Sequence, residues 1–131
     1  MAELLACPHV ERGLVAWFAG RLPDLPVYTE TPADVPDEYL TVVQVGGPGD
    51  LRERRVSVEL TVCARTRGQV WDLAGLVETA VAALAGDGVP GLLYVDDLVW
   101  SFVWADDPLP SVDVRRVTSQ VAVTIRPTRA A

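Results

Sequence analysis

Few residues in this chain of 131 have the type and spacing to carry out covalent chemistry. The single histidine, His9, follows Pro8 at the start of a helical pattern. Histidine acts as a general base when a nucleophile and an orienting group stand beside it. Neither Cys7 nor Cys63 sits in a recognisable nucleophile setting, so His9 reads as a surface residue of a first helical turn. Two cysteines are too few for a disulfide framework or a zinc site, and both read as small buried hydrophobes. The pairs Asp96-Asp97 and Asp106-Asp107 offer oxygen ligands for Mg²⁺ or Ca²⁺. Neighbours on a strand point to opposite faces, however, so each pair supplies one ligand in any direction. No EF-hand spacing occurs, and nothing marks two carboxylates as a glycosidase pair. Gly46-Gly47-Pro48-Gly49 lacks the GxxxxGK(S/T) and GxGxxG spacings and leads into a strand rather than a helix. The expectation is a protein with no catalytic residue, no cofactor and no metal, and no enzyme.

The elements that hold these residues are clearer. Val56, Val58, Leu60 and Val62 alternate with Ser57, Glu59, Thr61 and Cys63, the period of a strand with one buried face. At Thr66 the period changes: Val70, Leu73, Ala74, Val77, Val81 and Leu84 form the apolar stripe of an amphipathic helix. Thr66 and Gln69 fit a capping box at its start, and Gly86 stands where a C′ glycine would close it. A first helix is predicted from His9 to Gly20 or Leu22, with Val10, Leu14, Trp17 and Phe18 on one stripe. Pro23 and Pro26 stop it. Val27 to Glu30 is a short strand candidate, 31–37 a loop, and Glu38 to Val45 a strand rich in β-branched residues. Gly46 to Asp50 is the strongest turn signal and predicts a hairpin with a long loop.

After a turn at Asp87 to Gly91, a strand starts at Leu92 to Val95 and is interrupted at Asp96-Asp97. Leu98, Trp100, Phe102 and Trp104 then share one face of an extended segment, with Val99 and Val103 opposite. Three aromatics at period two suit either a core face or a subunit interface. Arg115 to Arg126 is the last strand. The order α-β-β-β-α-β-β predicts an α+β single domain over 1–131. It should hold a mixed, mainly antiparallel sheet of about five strands, with two helices packed on one face.

Composition narrows the function classes. Half the residues are hydrophobic and the net charge is −7, which fits a folded globular chain. No apolar run reaches the ~18 residues of a membrane span, and the N-terminus lacks the pattern of a signal peptide. Folding in the cytoplasm is therefore expected. The acidic balance disfavours sequence-independent binding to nucleic-acid backbone, and it leaves the aromatics without the basic groove that single-strand binding needs.

The order of segments resembles the tail terminator, or tail completion, proteins of long-tailed bacteriophages, in particular those of actinobacterial phages and prophages. The resemblance covers most of residues 9 to 127. It rests on the helix followed by Leu22-Pro23-Asp24-Leu25-Pro26-Val27-Tyr28, and on the strand Thr41-Val42-Val43-Gln44-Val45 ending in Gly46-Gly47-Pro48. It continues through Val56-Ser57-Val58-Glu59-Leu60 to Ala64 and Thr66 before an alanine-rich helix, and ends in the loop Pro108-Leu109-Pro110-Ser111-Val112-Asp113. The aromatic run Trp100 to Trp104 departs from the family, where this segment is more polar or glycine-rich. The resemblance implies a virion protein made in the host cytoplasm and assembled as a hexameric ring on the head-proximal end of the tail tube. There it would stop tube polymerisation and offer a docking surface to the head-tail connector. Genome DNA would pass through the acidic ring without specific binding. The expected interface residues are Gly46, Gly47, Pro48, Gly49, Asp50, Leu51, Arg52 and Arg54 in the hairpin loop, with Trp100, Phe102 and Trp104 on the aromatic strand. The competing readings are a neck or head-tail joining protein, and a small dimeric α/β enzyme or ligand-binding domain.

Overall fold

A computed structural model of the chain describes residues 10–46, 54–84, 88–89, 93–106 and 114–127. Helix α1 (Val10–Arg21) buries Val10, Leu14, Trp17 and Phe18, the predicted stripe, and leaves Glu11 and Arg12 off it. The Trp17 and Phe18 rings meet edge to face at 5.3 Å. Arg21, in the last turn where the helix end is partially negative, lies 5.1 Å from the Trp17 ring centroid. The chain then turns through Leu25, whose N–H donates to the Leu22 carbonyl.

The strands are β1 (Val27–Tyr28), β2 (Tyr39–Gly46), β3 (Arg54–Ala64), β4 (Gly88–Val89), β5 (Leu93–Asp106) and β6 (Arg115–Pro127), with helix α2 (Arg67–Ala82) between β3 and β4. They form one sheet in the order β1-β2-β3-β6-β5-β4. β1 and β2 are parallel, and every other pairing is antiparallel. This is the α+β, mixed and mainly antiparallel architecture that the sequence predicts. Two details differ. The two-residue β4 lies where only a turn is expected, and β5 runs unbroken through Asp96-Asp97, which a one-residue bulge between Val95 and Asp97 accommodates.

Alternation decides which face is buried. Val56, Val58, Leu60 and Val62 of β3 stand beside Leu40 and Val42 of β2 and beside Val117, Val121, Val123 and Ile125 of β6. All join one core cluster with the stripes of α1 and α2, so both helices cover the same face of the sheet. Each fully buried aliphatic side chain here stabilises the fold by about 1.5–3 kcal/mol. α2 begins where the sequence marks it: Thr66 Oγ1 accepts from Gln69 N–H at 3.2 Å. It ends at Ala82 with Ala83 as C-cap, and Gly86 lies outside the described residues.

The sheet's edges are blunted by different means. Leu40 N–H donates across to Pro26 on the β1 side. Four residues on, Gln44 N–H is taken by Glu11 Oε2 at 3.4 Å, so α1 covers part of the outer edge of β2. Among the described residues, β5 is paired with β4 only at Leu93 and Tyr94. Beyond them it is an edge strand, and its three register shifts against β6 break the regular edge ladder.

Candidate functional site

The same alternation that fills the core lays out the opposite face of the sheet, which neither helix covers. Its side chains stand in rows across the strands. Tyr39, Cys63 and Arg116 form one row; Thr41, Thr61, Thr118 and Ala105 form the next. Val43, Glu59, Gln120 and Phe102 follow, then Ser57, Ala122 and Val99. Thr61 and Thr118 hydroxyls join at 3.2 Å, which pairs two polar groups that would otherwise be left half-buried. Much of this face is small or hydroxylated, and a cavity of about 210 Å³ opens on it among Tyr39, Thr41, Thr61 and Cys63.

The aromatic stripe divides between the two faces. Leu98 and Trp100 pair with Val123 and Val121 and lean on the helix-covered core, where Trp104 joins them. Trp100 and Trp104 ring centroids are 6.3 Å apart. Phe102 does not share their face, contrary to the expectation of a single stripe. One extra residue between Trp100 and Phe102 shifts the register and sets Phe102 opposite Gln120, on the uncovered face. A second shift, between Phe102 and Ala105, returns Trp104 to the core side. Phe102 is 39% exposed, and its neighbours Val99 and Val103 are 56% and 47% exposed. The outward apolar patch is therefore Val99, Phe102 and Val103.

At the far end of the uncovered face, Tyr39 and Cys63 are buried beside Arg116, under the segment carrying Glu30 and Thr31. Burial pushes the Tyr39 phenol up to about 12, helped by its hydrogen bond with the Cys63 thiol. Tyr28 meets the Tyr39 ring at 6.2 Å. Arg65 holds Asp37 at 2.7 Å and ties the same segment to the β3–α2 junction. The described residues contain no group of three or more His, Cys, Asp or Glu arranged to hold a metal, and no described helix is long and apolar enough to cross a membrane.

On the helix side, a cavity of about 150 Å³ opens between the start of α2, the end of β5 and the start of β6. Arg67, Trp71, Asp106, Arg115 and Arg116 are among its walls. Sequence reading did not find this grouping, because its members are scattered over three segments and none forms a motif. Of the predicted interface residues, Gly46 ends β2 with φ +118, a left-handed conformation that favours glycine, and Arg54 begins β3. Gly47, Pro48, Gly49, Asp50, Leu51 and Arg52 lie outside the described residues, as do His9, Cys7, Asp107 and the loop Pro108 to Asp113. β2 and β3 are antiparallel neighbours, so the hairpin that must carry the glycine loop is present.

No family model matches the chain, and neither does a curated relative. Among solved structures, the fold is similar to that of a chain in the virion of a native gene transfer agent particle. The match has a TM-score of 0.56 at 12% identity, and it covers 83% of this chain and 84% of the other.

Proposed function

We propose that this chain is a structural protein of a phage-like particle, acting as a tail terminator. In this reading, copies form a ring, hexameric when assembled, on the head-proximal end of the tail tube. The ring stops addition of tube subunits and gives the head-tail connector a surface to dock on. The observation that carries the reading is the shared fold, which spans most of both chains and whose counterpart is a component of a gene transfer agent virion. The resemblance of the segment order to tail terminators supplies the position within the particle.

The division of the sheet supports the same reading. One face and both helix stripes are used up in the core, leaving a largely polar face and an outward apolar patch for neighbours. Phe102, with Val99 and Val103, takes the subunit-contact role first assigned to all three strand aromatics, while Trp100 and Trp104 support the strand from beneath. The Gly46 to Arg54 loop is the surface that docks on neighbouring particle proteins. The acidic net charge keeps passing DNA from adhering.

Deletion of Pro48 to Leu51 tests the role. Particles made with this variant should carry overlong tails while the isolated chain keeps its thermal transition. Tails of normal length would contradict the terminator assignment. A neck protein would instead give normal tails that fail to join heads, and a small enzyme or ligand-binding domain would purify as a stable dimer with no particle phenotype.

A further inference from the structure

We propose that the cavity on the uncovered face of the sheet is a docking site for an arginine side chain of a protein partner. This names a partner chemistry for the face that the terminator reading assigns to contact, and it rests on that reading. Glu59 lines the cavity from the row it shares with Val43 and Gln120, half-buried in the middle of β3. Glu30 lines it from the exposed segment after β1. Neither carboxylate has an ion-pair or hydrogen-bond partner among the described residues. A carboxylate halfway along a central strand has lost part of its hydration, and only an arriving cation offsets that loss. Arg116, the one cation among the lining residues, sits in the Cys63 row and has interactions of its own. That row is four residues along the sheet from Glu59, about 13 Å at the rise of a strand.

Between those two rows the cavity wall offers acceptors. Thr118 Oγ1 donates its single proton to the Leu60 carbonyl at 3.4 Å. The 3.2 Å bond between the Thr61 and Thr118 hydroxyls is therefore donated by Thr61, whose oxygen keeps lone pairs for the cavity it lines. Thr41 lies beside Thr61 in register and lines the same cavity. It is 8% exposed, and its hydroxyl makes no hydrogen bond among the described residues. A buried hydroxyl without a partner is uncommon in a folded protein and points to an occupant. The Tyr39 phenol, by contrast, is already bonded to Cys63 and Thr31. Acceptors spread over adjacent rows, with two carboxylates, call for several donors in a fixed fan. A guanidinium supplies five in one plane, whereas an ammonium gathers three at a point. A divalent metal ion fits less well, because the described residues bring no three His, Cys, Asp or Glu groups together.

A blocked peptide, acetyl-Gly-Arg-Gly-amide, titrated into the isotope-labelled intact chain while the Thr41 and Thr61 amide resonances are followed, tests the site. Expected are saturable shifts that weaken as salt rises. Binding should be about tenfold weaker in Glu59→Gln, which removes a charge-assisted hydrogen bond and keeps the shape of the side chain. Glu30→Gln, in an exposed segment, repeats the test should Glu59→Gln unfold the chain. Glu78→Gln, on the exposed side of α2, should leave binding unchanged. Absence of saturable shifts, binding indifferent to both Glu59 and Glu30, equal binding of acetyl-Gly-Lys-Gly-amide, or tighter binding of Mg²⁺ than of the arginine peptide would overturn the proposal. Particle assembly is scored separately. A chain that enters particles and limits tail length but ignores the peptide rejects the pocket alone and leaves the terminator reading standing.

Discussion

The two faces of this sheet are built from the same strands and differ in almost every property. Along β3, Val56, Val58, Leu60 and Val62 are fully buried under the helices, while Ser57 and Glu59 between them stay half-open. The covered face is aliphatic and tightly committed. The uncovered face is largely polar and hydroxylated, with apolar side chains toward β5 and at Val43 of β2. Two helices take up the covered face, so the main stabilisation of the fold lies on that side, and our reading assigns contact to the other. The comparison teaches that the helix-bearing half is a frame, and that its most conspicuous aromatics, Trp100 and Trp104, belong mostly to that frame.

The contrast predicts unequal costs. Phe18→Ala, which empties the centre of the covered side, should destabilise the chain by about 3–5 kcal/mol, read from chemical denaturation. A smaller loss would mean that α1 is not part of the core. At the margin of the frame, Thr66→Ala removes the hydroxyl that caps α2 and should cost about 1 kcal/mol. Thr66→Ser, which keeps that acceptor, should restore most of it.

How far the sequence exposes this division depends on how local the determining physics is. Period two in β3, period 3.6 in both helices and the Thr66 cap are set by neighbours within a few residues, and each stands where expected. The division of the aromatic strand is not local. Whether Phe102 faces the core depends on register shifts against β6, and those are fixed by packing across the sheet rather than by the run Leu98 to Trp104 itself. The cavity of Arg67, Trp71 and Arg115 is hidden for a related reason: crossing from α2 to β6 unites residues more than forty positions apart.

The corner at Tyr39 sharpens the comparison through pH. Its phenol is held neutral by burial and by its hydrogen bond with Cys63, up to about 12 in the folded chain against 10.0 for the free group. Below pH 10 both states are protonated and the group contributes no pH dependence. Between pH 10 and about 12 the unfolded chain releases the proton and the folded chain keeps it, so stability falls as pH rises. Thermal melting of the Tyr39→Phe variant should lack that part of the alkaline decline. An unchanged decline would place the sensitivity elsewhere.

The smallest expected effect on stability belongs to the outward patch, and it carries the largest functional consequence. Val99→Ser/Phe102→Ser alters side chains already exposed, so stability should change by about 0.5 kcal/mol or less. Incorporation of this variant into particles, measured against the parent chain with both melting curves in hand, tests the division of the sheet most directly. We predict a melting temperature within about 3 °C of the parent and incorporation reduced at least tenfold. A variant that melts like the parent and enters particles equally well would contradict the assignment of the uncovered face to assembly.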